Sequence, residues 1–408
     1  MKHHRTLIAV ITVALIASLA GCGSLGKTHQ ENKDAAAARW NDIRSGYKLS
    51  MAKGQFETGD LDEAEKTLVE ALSVDPMNPR LHTLAGRIAL ERNQLEKSFQ
   101  RLSRAIELDN KIPEPHLKLA DPHYYVGIVL QRWKQYDRAY AAYMKAYELQ
   151  SDNISFLLAV SEMLVAMDKQ DDAIKLLESK TIYFDQNAGI RAGLGQLYMM
   201  RGNYLKAGEY YRQASLLRPD DLRLLEDLAM ARMGAGDFSS AIEDFKRLMD
   251  ESKPERKPDL LRLLASAQLN AGRMEDARAS YLELTRLDRT DVAAWTKLAE
   301  ISLQQNELGG ALTASNRVIA LAGQDATGYL LAGLVWQRRG DIDKALTHFD
   351  RAAQLAPEKV DAVILRGITL EQAGRLDAAA AAYTEAKRRN PEDPRAGKLL
   401  SQVADKTE

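Results

Sequence analysis

The sequence predicts an all-α protein assembled by repetition of one short unit. Three observations predict it. A 34-residue pattern recurs with starts near 45, 79, 120, 154, 188, 222, 258, 292, 326 and 360. Aromatic residues are sparse at 6% and prolines number 11, which argues against a β-sandwich. Hydrophobic residues make up 45% and charged residues 28%, the balance of a folded chain rather than a disordered one. The 56 basic and 57 acidic residues leave a formal charge of −1, so the whole chain carries no electrostatic drive toward nucleic acid or anionic lipid.

The elements follow in order. Lys2, His3, His4 and Arg5 precede an uncharged run from Leu7 to Ala20. Fourteen residues fall short of the ~20 that span a bilayer, so the layout is that of an export signal. The run ends at Leu19-Ala20-Gly21-Cys22, and Cys22 is the only cysteine. A disulfide framework within the chain is therefore excluded. These four residues resemble the bacterial lipobox. The resemblance implies cleavage before Cys22 and acylation of its thiol, with residues 1–21 as signal peptide. Gly23, where an aspartate would retain the protein at the inner membrane, implies the outer membrane facing the periplasm of a bacterial envelope. The alternative is a buried structural cysteine, which the position at the end of a signal-like run disfavours.

Gly21-Cys22-Gly23-Ser24-Leu25-Gly26-Lys27-Thr28 also fits the phosphate-loop pattern. That loop works only between a buried strand and a helix N-terminus, and no such context is predicted here, so a P-loop ATPase is disfavoured. Residues 22–44 read as a polar tether, with the stretch AAAAR before Trp40 able to start a helix.

From residue 45 the repeat takes over: 45–112 holds repeats 1 and 2, 113–119 is a proline-containing insertion, 120–255 holds repeats 3 to 6, and 258–393 repeats 7 to 10. One site in each first helix is small, as at Gly86, Gly127, Gly195, Gly333 and Gly367. A second site, in the second helix, is alanine or serine, as at Ala64, Ser98, Ala139 and Ala379. Four residues later stands a large residue, as at Leu102, Tyr143, Tyr211, Phe349 and Tyr383; Ser315 breaks the rule. Small sites let helix axes approach to ~8–10 Å. Between the helices a turn site carries Gly59, Asn93, Lys134, Asp168, Gly202, Gly236, Gly272, Asn306, Gly340 or Gly374, mostly types that tolerate the left-handed conformation ending a helix. Three places further on, Asp62, Asp137, Asp171, Asp343 and Asp377 are placed to cap the second helix. Residues 394–408 offer Leu399, Leu400 and Val403 for a C-terminal capping helix.

This set of sites resembles the tetratricopeptide repeat (TPR), a 34-residue helix-turn-helix unit. The resemblance implies a right-handed α-solenoid whose first helices line a concave face, and a protein scaffold rather than an enzyme. Ten repeats leave no stretch of ~100 residues for a catalytic domain, and no metalloprotease, nucleophile-elbow or dinucleotide fingerprint occurs. No cofactor, metal, small-molecule substrate or nucleic acid is expected. His116, Asp121 and His123 are the only clustered metal-ligand types, and a linker reading is favoured over a metal site.

The expected partner is a protein, as an extended segment or helix in the concave groove. By helical spacing the inward positions of repeats 3 to 6 are largely apolar: Tyr124, Ile128, Leu158, Val165, Met199, Met230 and Met233. Methionine is adaptable at such surfaces, although at helical spacing it is more often core. In repeats 1 and 2 the inward sites are Leu49, Lys53, Thr83 and Arg87, which is not the Lys/Asn set of the known carboxylate clamp. With Arg80 and Arg132 they add basic character that reads first as solvated charge. The function expected is a lipid-anchored envelope TPR scaffold for protein–protein interactions in pilus, secretion or outer-membrane assembly. A scaffold for exopolysaccharide synthesis and export is the alternative.

Overall fold

The computed structural model describes residues 3–114 and 118–407, with side chains from 29 to 114 and 118 to 406. Twenty-one α-helices and one 3-10 turn occur, and no strand, among the described residues. The chain divides into two compact units, Met1–Asp185 and Gln186–Glu408.

The first unit comprises α1 (His3–Glu57), α2 (Leu61–Val74), α3 (Pro79–Glu91), α4 (Leu95–Asp109), α5 (Asp121–Arg132), α6 (Tyr136–Leu149), α7 (Ile154–Ala166) and α8 (Gln170–Lys180). The second comprises α9 (Ala188–Met200), α10 (Tyr204–Leu217), α11 (Leu222–Ala235), α12 (Phe238–Glu251), the 3-10 turn Pro254–Arg256, α13 (Lys257–Asn270), α14 (Met274–Leu287), α15 (Val292–Gln304), α16 (Leu308–Leu321), α17 (Ala326–Arg338), α18 (Ile342–Leu355), α19 (Asp361–Gln372), α20 (Leu376–Arg389) and α21 (Pro394–Thr407). Within each unit, helices adjacent in the chain pack as neighbours, the arrangement of a helical-repeat solenoid.

The small and large sites meet as hard packing. A Cβ built on Gly86 would lie 2.5 Å from Leu102, and one on Gly127 2.5 Å from Tyr143, so the first helix closes onto the large residue of its own second helix. Ser98 occupies an alanine site by donating its hydroxyl to the Gly86 carbonyl at 2.8 Å. Ser315, the exception at the large site, is buried and turns its hydroxyl back to the Ala311 carbonyl. Leu248, Leu284 and Val318 are buried where other repeats carry alanine.

Every turn site named from the sequence has positive φ, from 57° at Asn93 to 83° at Gly59. Lys134 takes φ 58°, a conformation that costs an L-residue ~1–2 kcal/mol and that the repeat geometry imposes. The capping residues differ from expectation. The second helices start immediately after the turn, so the caps are Asp60, Asn203, Asp237 and Asp341, each accepting a backbone N–H three residues on. Asp62 and Asp343 lie inside the first turn and pair instead with Arg92 and Arg375 of the following repeat.

The segment read as a polar tether belongs to α1, whose backbone is helical without a break. No proline interrupts the chain before Pro76, and Ala35–Ala38 favours helix. Residues 29–44 are exposed on all sides, as polar composition predicts. Gly21–Thr28 lies within the same helix, so the strand that a phosphate loop requires does not precede it. Among the described residues no helix is long and apolar enough to cross a membrane. The Cys22 side chain and His116 lie outside the described residues.

Candidate protein-binding site

The first helices of repeats 1 and 2 bring their inward positions to one cavity of about 480 Å³. Leu49 and Lys53 sit one turn apart on α1, and Thr83 and Arg87 one turn apart on α3; Arg80 stands at the start of α3. Leu119 and Asp121, at the end of the insertion and the start of α5, form the third wall. Asp109 anchors that wall. Its backbone carbonyl accepts from Lys118 Nζ at 2.6 Å, and its Oδ2 accepts from the Leu119 N–H at 3.2 Å.

Arg87 dominates the cavity. Its guanidinium lies 4.7 Å from the Phe56 ring centroid and 4.9 Å from that of Tyr125. A guanidinium attracted to ring faces in this way keeps N–H donors for an acceptor. Lys53 keeps only a loose contact with Glu57 at 3.8 Å, at the exposed surface. Three cations thus share the cavity with a single lining carboxylate, Asp121. Burial pushes the Tyr125 phenol up, and the neighbouring Arg87 charge acts against that shift, so the ring stays a neutral wall.

Arg132, counted with the basic residues of this end, serves another purpose. It reaches back to the Leu90 carbonyl at 3.5 Å and the Asn93 side chain at 3.3 Å, tying α5 to the turn before α4. His123 is half-buried, and desolvation lowers its pKa, so its ring is held toward the neutral form. Asp121, the carboxylate near it in sequence, lines the cavity.

The seven apolar residues named from the sequence divide between the units. In the first, Tyr124 has ring contacts with Tyr125, Tyr143 and Phe156 at 5.4, 5.4 and 4.9 Å. Ile128 packs on the same cluster, while Leu158 and Val165 are half-buried on α7. In the second, Met199 is half-buried, Met230 is exposed, and Met233 packs against the cluster around Phe245. The sequence did contain the signal for the basic cavity: Leu49/Lys53 and Thr83/Arg87 are i, i+4 pairs on successive first helices. What it lacked was the pairing of Phe56 with Tyr125 around one guanidinium.

Comparison with known proteins places these repeats. One tetratricopeptide-repeat model matches residues 49–112, 226–292, 264–326 and 330–394, together more than half of the chain. A second tetratricopeptide-repeat model matches 123–153 and 188–221. Among curated proteins, superkiller complex protein 3 of Mus musculus is 23% identical over 305 residues, covering 64% of this chain and 19% of that protein. The TPR repeat-containing protein YpiA of Bacillus subtilis is 22% identical over 255 residues, covering 62% of this chain and 50% of that protein. The chain thus spans from a fifth to half the length of these relatives. The C-terminal part of a TPR repeat-containing protein from Cytophaga hutchinsonii shares the fold with a TM-score of 0.51 and 16% identity, over 60% of this chain and 99% of that one. By its repeats, their turn geometry and these matches, the chain belongs to the tetratricopeptide-repeat family.

Proposed function

We propose that this chain is a lipid-anchored envelope scaffold that holds an acidic, partly apolar segment of a partner protein in the cavity of its first repeats. The repeat family supports the scaffold, since TPR arrays gather proteins and the repeat models match more than half of this chain. Leu19-Ala20-Gly21-Cys22 supports the anchor, with Cys22 as the acylated residue. Acyl chains contribute ~0.8 kcal/mol per buried CH₂, so two or three chains hold durably where one does not. Assembly of pili, secretion systems or the outer membrane is the setting that an anchored scaffold fits.

The observation that carries the partner chemistry is Arg87, set between Phe56 and Tyr125 and lining the cavity. A charge-assisted hydrogen bond to a carboxylate contributes ~1.5–3 kcal/mol, and the rings spare the cost of ordering the side chain. Leu49, Leu84 and Leu119 supply apolar contact beside the cations. A photoreactive residue at Ser50, on the cavity wall, tests this reading in native envelopes. Capture of a protein through an Asp/Glu-rich segment, lost in Arg87→Ala, supports it. Capture through a basic segment, or capture indifferent to Arg87, contradicts it. The anchor has its own test: Cys22→Ser leaves the membrane fraction if the lipid reading holds and stays with it if not.

A further inference from the structure

A cavity within the second unit is charged by cations alone. Arg286 of α14, Arg289 of the following turn, Trp295 of α15, and Asn316 and Arg317 of α16 line about 540 Å³, and no carboxylate is among the lining residues. The acids nearby are spent elsewhere. Glu283 pairs with Lys257, Asp291 with Arg262, and Asp288 accepts the Thr290 N–H and hydroxyl. The repeat register shows what Arg317 has lost. Arg104, Arg247 and Arg317 are each the twenty-sixth residue of their repeats, counted from 79, 222 and 292. Arg247 and Arg317 make the same contact with the repeat before, donating to the Pro219 carbonyl at 3.4 Å and to the Arg289 carbonyl at 3.3 Å. Arg104 is answered by Glu107 and Arg247 by Glu251, three and four residues on. In repeat 8 those two places hold Ala320 and Leu321. Arg317 therefore keeps the backbone contact without the acid. The Arg289 carbonyl also accepts the Trp295 indole N–H at 3.1 Å, so one oxygen orients both side chains. With its only donor spent, Trp295 gives the cavity hydrocarbon.

We propose that this cavity binds a small phosphate monoester with a flat apolar body. A guanidinium matches phosphate oxygens through paired N–H bonds. Near neutral pH a monoester carries about 1.5–2 negative charges and three terminal oxygens, enough to engage more than one of the three arginines. A carboxylate brings one charge and two oxygens, and a phosphate diester, as in phospholipids and nucleic acid, one charge. Both answer this excess of cations less completely. Trp295 and Leu282 offer the apolar body a surface, and the Asn316 amide supplies a donor and an acceptor beside it. The site is independent of the acidic-segment reading of the first repeats.

Isothermal titration calorimetry of the full-length chain with phenyl phosphate tests this, with benzoate and diphenyl phosphate as singly charged probes. Phenyl phosphate is expected to bind, and the other two to bind about tenfold or more weakly. Arg317→Gln is expected to weaken phenyl phosphate about tenfold or more, the loss of one charge-assisted bond. Arg351→Gln, the same position in repeat 9, is expected to leave it unchanged. Circular dichroism checks that both variants keep the fold. Absence of binding at millimolar phenyl phosphate, benzoate or diphenyl phosphate as tight as the monoester, or an Arg317→Gln variant no weaker than Arg351→Gln, overturns the proposal.

Discussion

In the second unit, Leu399, Leu400 and Val403 of α21 close over Leu370, Ala379 and Tyr383, and Lys406 ties α21 back to Glu371. In the first unit, Trp40, Ile43 and Tyr47 of α1 have no such cover among the described residues and stand in solvent. The same contrast holds for two arginines on first helices. Arg366 of α19 is answered by Asp350 at 2.8 Å and by Glu385, which Arg389 also holds. Arg87 of α3 is answered by two ring faces and opens on a cavity. One end of the chain spends its apolar surface and its charges on itself. The other keeps both available, so stability and recognition fall at different places in one repeat design.

Substitutions break this contrast in a graded way. Tyr383 is fully buried against Gly367 and donates its hydroxyl to Glu371 at 2.7 Å. Tyr383→Ala is expected to lower stability by about 3–5 kcal/mol in chemical denaturation, as truncated core aromatics do. A loss below 1 kcal/mol would mean that this end is not packed as described. Arg366→Ala is expected to cost about 1–3 kcal/mol by leaving Asp350 without its cation and Glu385 with Arg389 alone. Acid sharpens that point. Burial by itself raises the Glu385 pKa, but Arg366 and then Arg389 outweigh it, and the carboxyl is held below the ordinary glutamate range. Its contribution is complete above the unfolded value and fades as pH falls through the lowered one. The wild type should therefore lose stability on the acid side of the ordinary glutamate pKa, and Arg366→Ala should show a shallower loss. Parallel pH profiles would remove Arg366 from the account. The smallest effect belongs to the bare end: Tyr47→Ala should change stability by no more than about 0.5 kcal/mol, because Tyr47 is exposed and no described residue covers it. A larger loss would show that this side of α1 is already packed.

Much of this was legible before any coordinates. The 34-residue step, the small sites and the left-handed turn positions depend on local backbone and helix–helix distance, which recur identically and therefore show in one sequence. Lys134 was found at a left-handed turn by register alone, against its own preference. The caps were misplaced by two residues because Asp60 and Asp62 are both plausible cap types, and only the point where the helix starts separates them. The basic cavity does not show in the sequence for a different reason. Whether an arginine is solvated charge or a poised donor depends on rings from other elements, here Phe56 on α1 and Tyr125 on α5, and no periodicity reports that. Tyr124, beside one of those rings, was assigned to a groove by the same helical spacing and has its ring among Tyr125, Tyr143 and Phe156.

The central claim is that the first repeats present a poised cation to an acidic partner segment. Fluorescence anisotropy with two labelled dodecapeptides, one alternating Glu and Leu and one alternating Lys and Leu, tests it most directly. The account predicts that the acidic peptide binds, that the basic one does not, and that Arg87→Ala weakens the acidic peptide about tenfold or more, the loss of one charge-assisted bond. Equal binding of both peptides, or an Arg87→Ala variant as tight as the wild type, would contradict it.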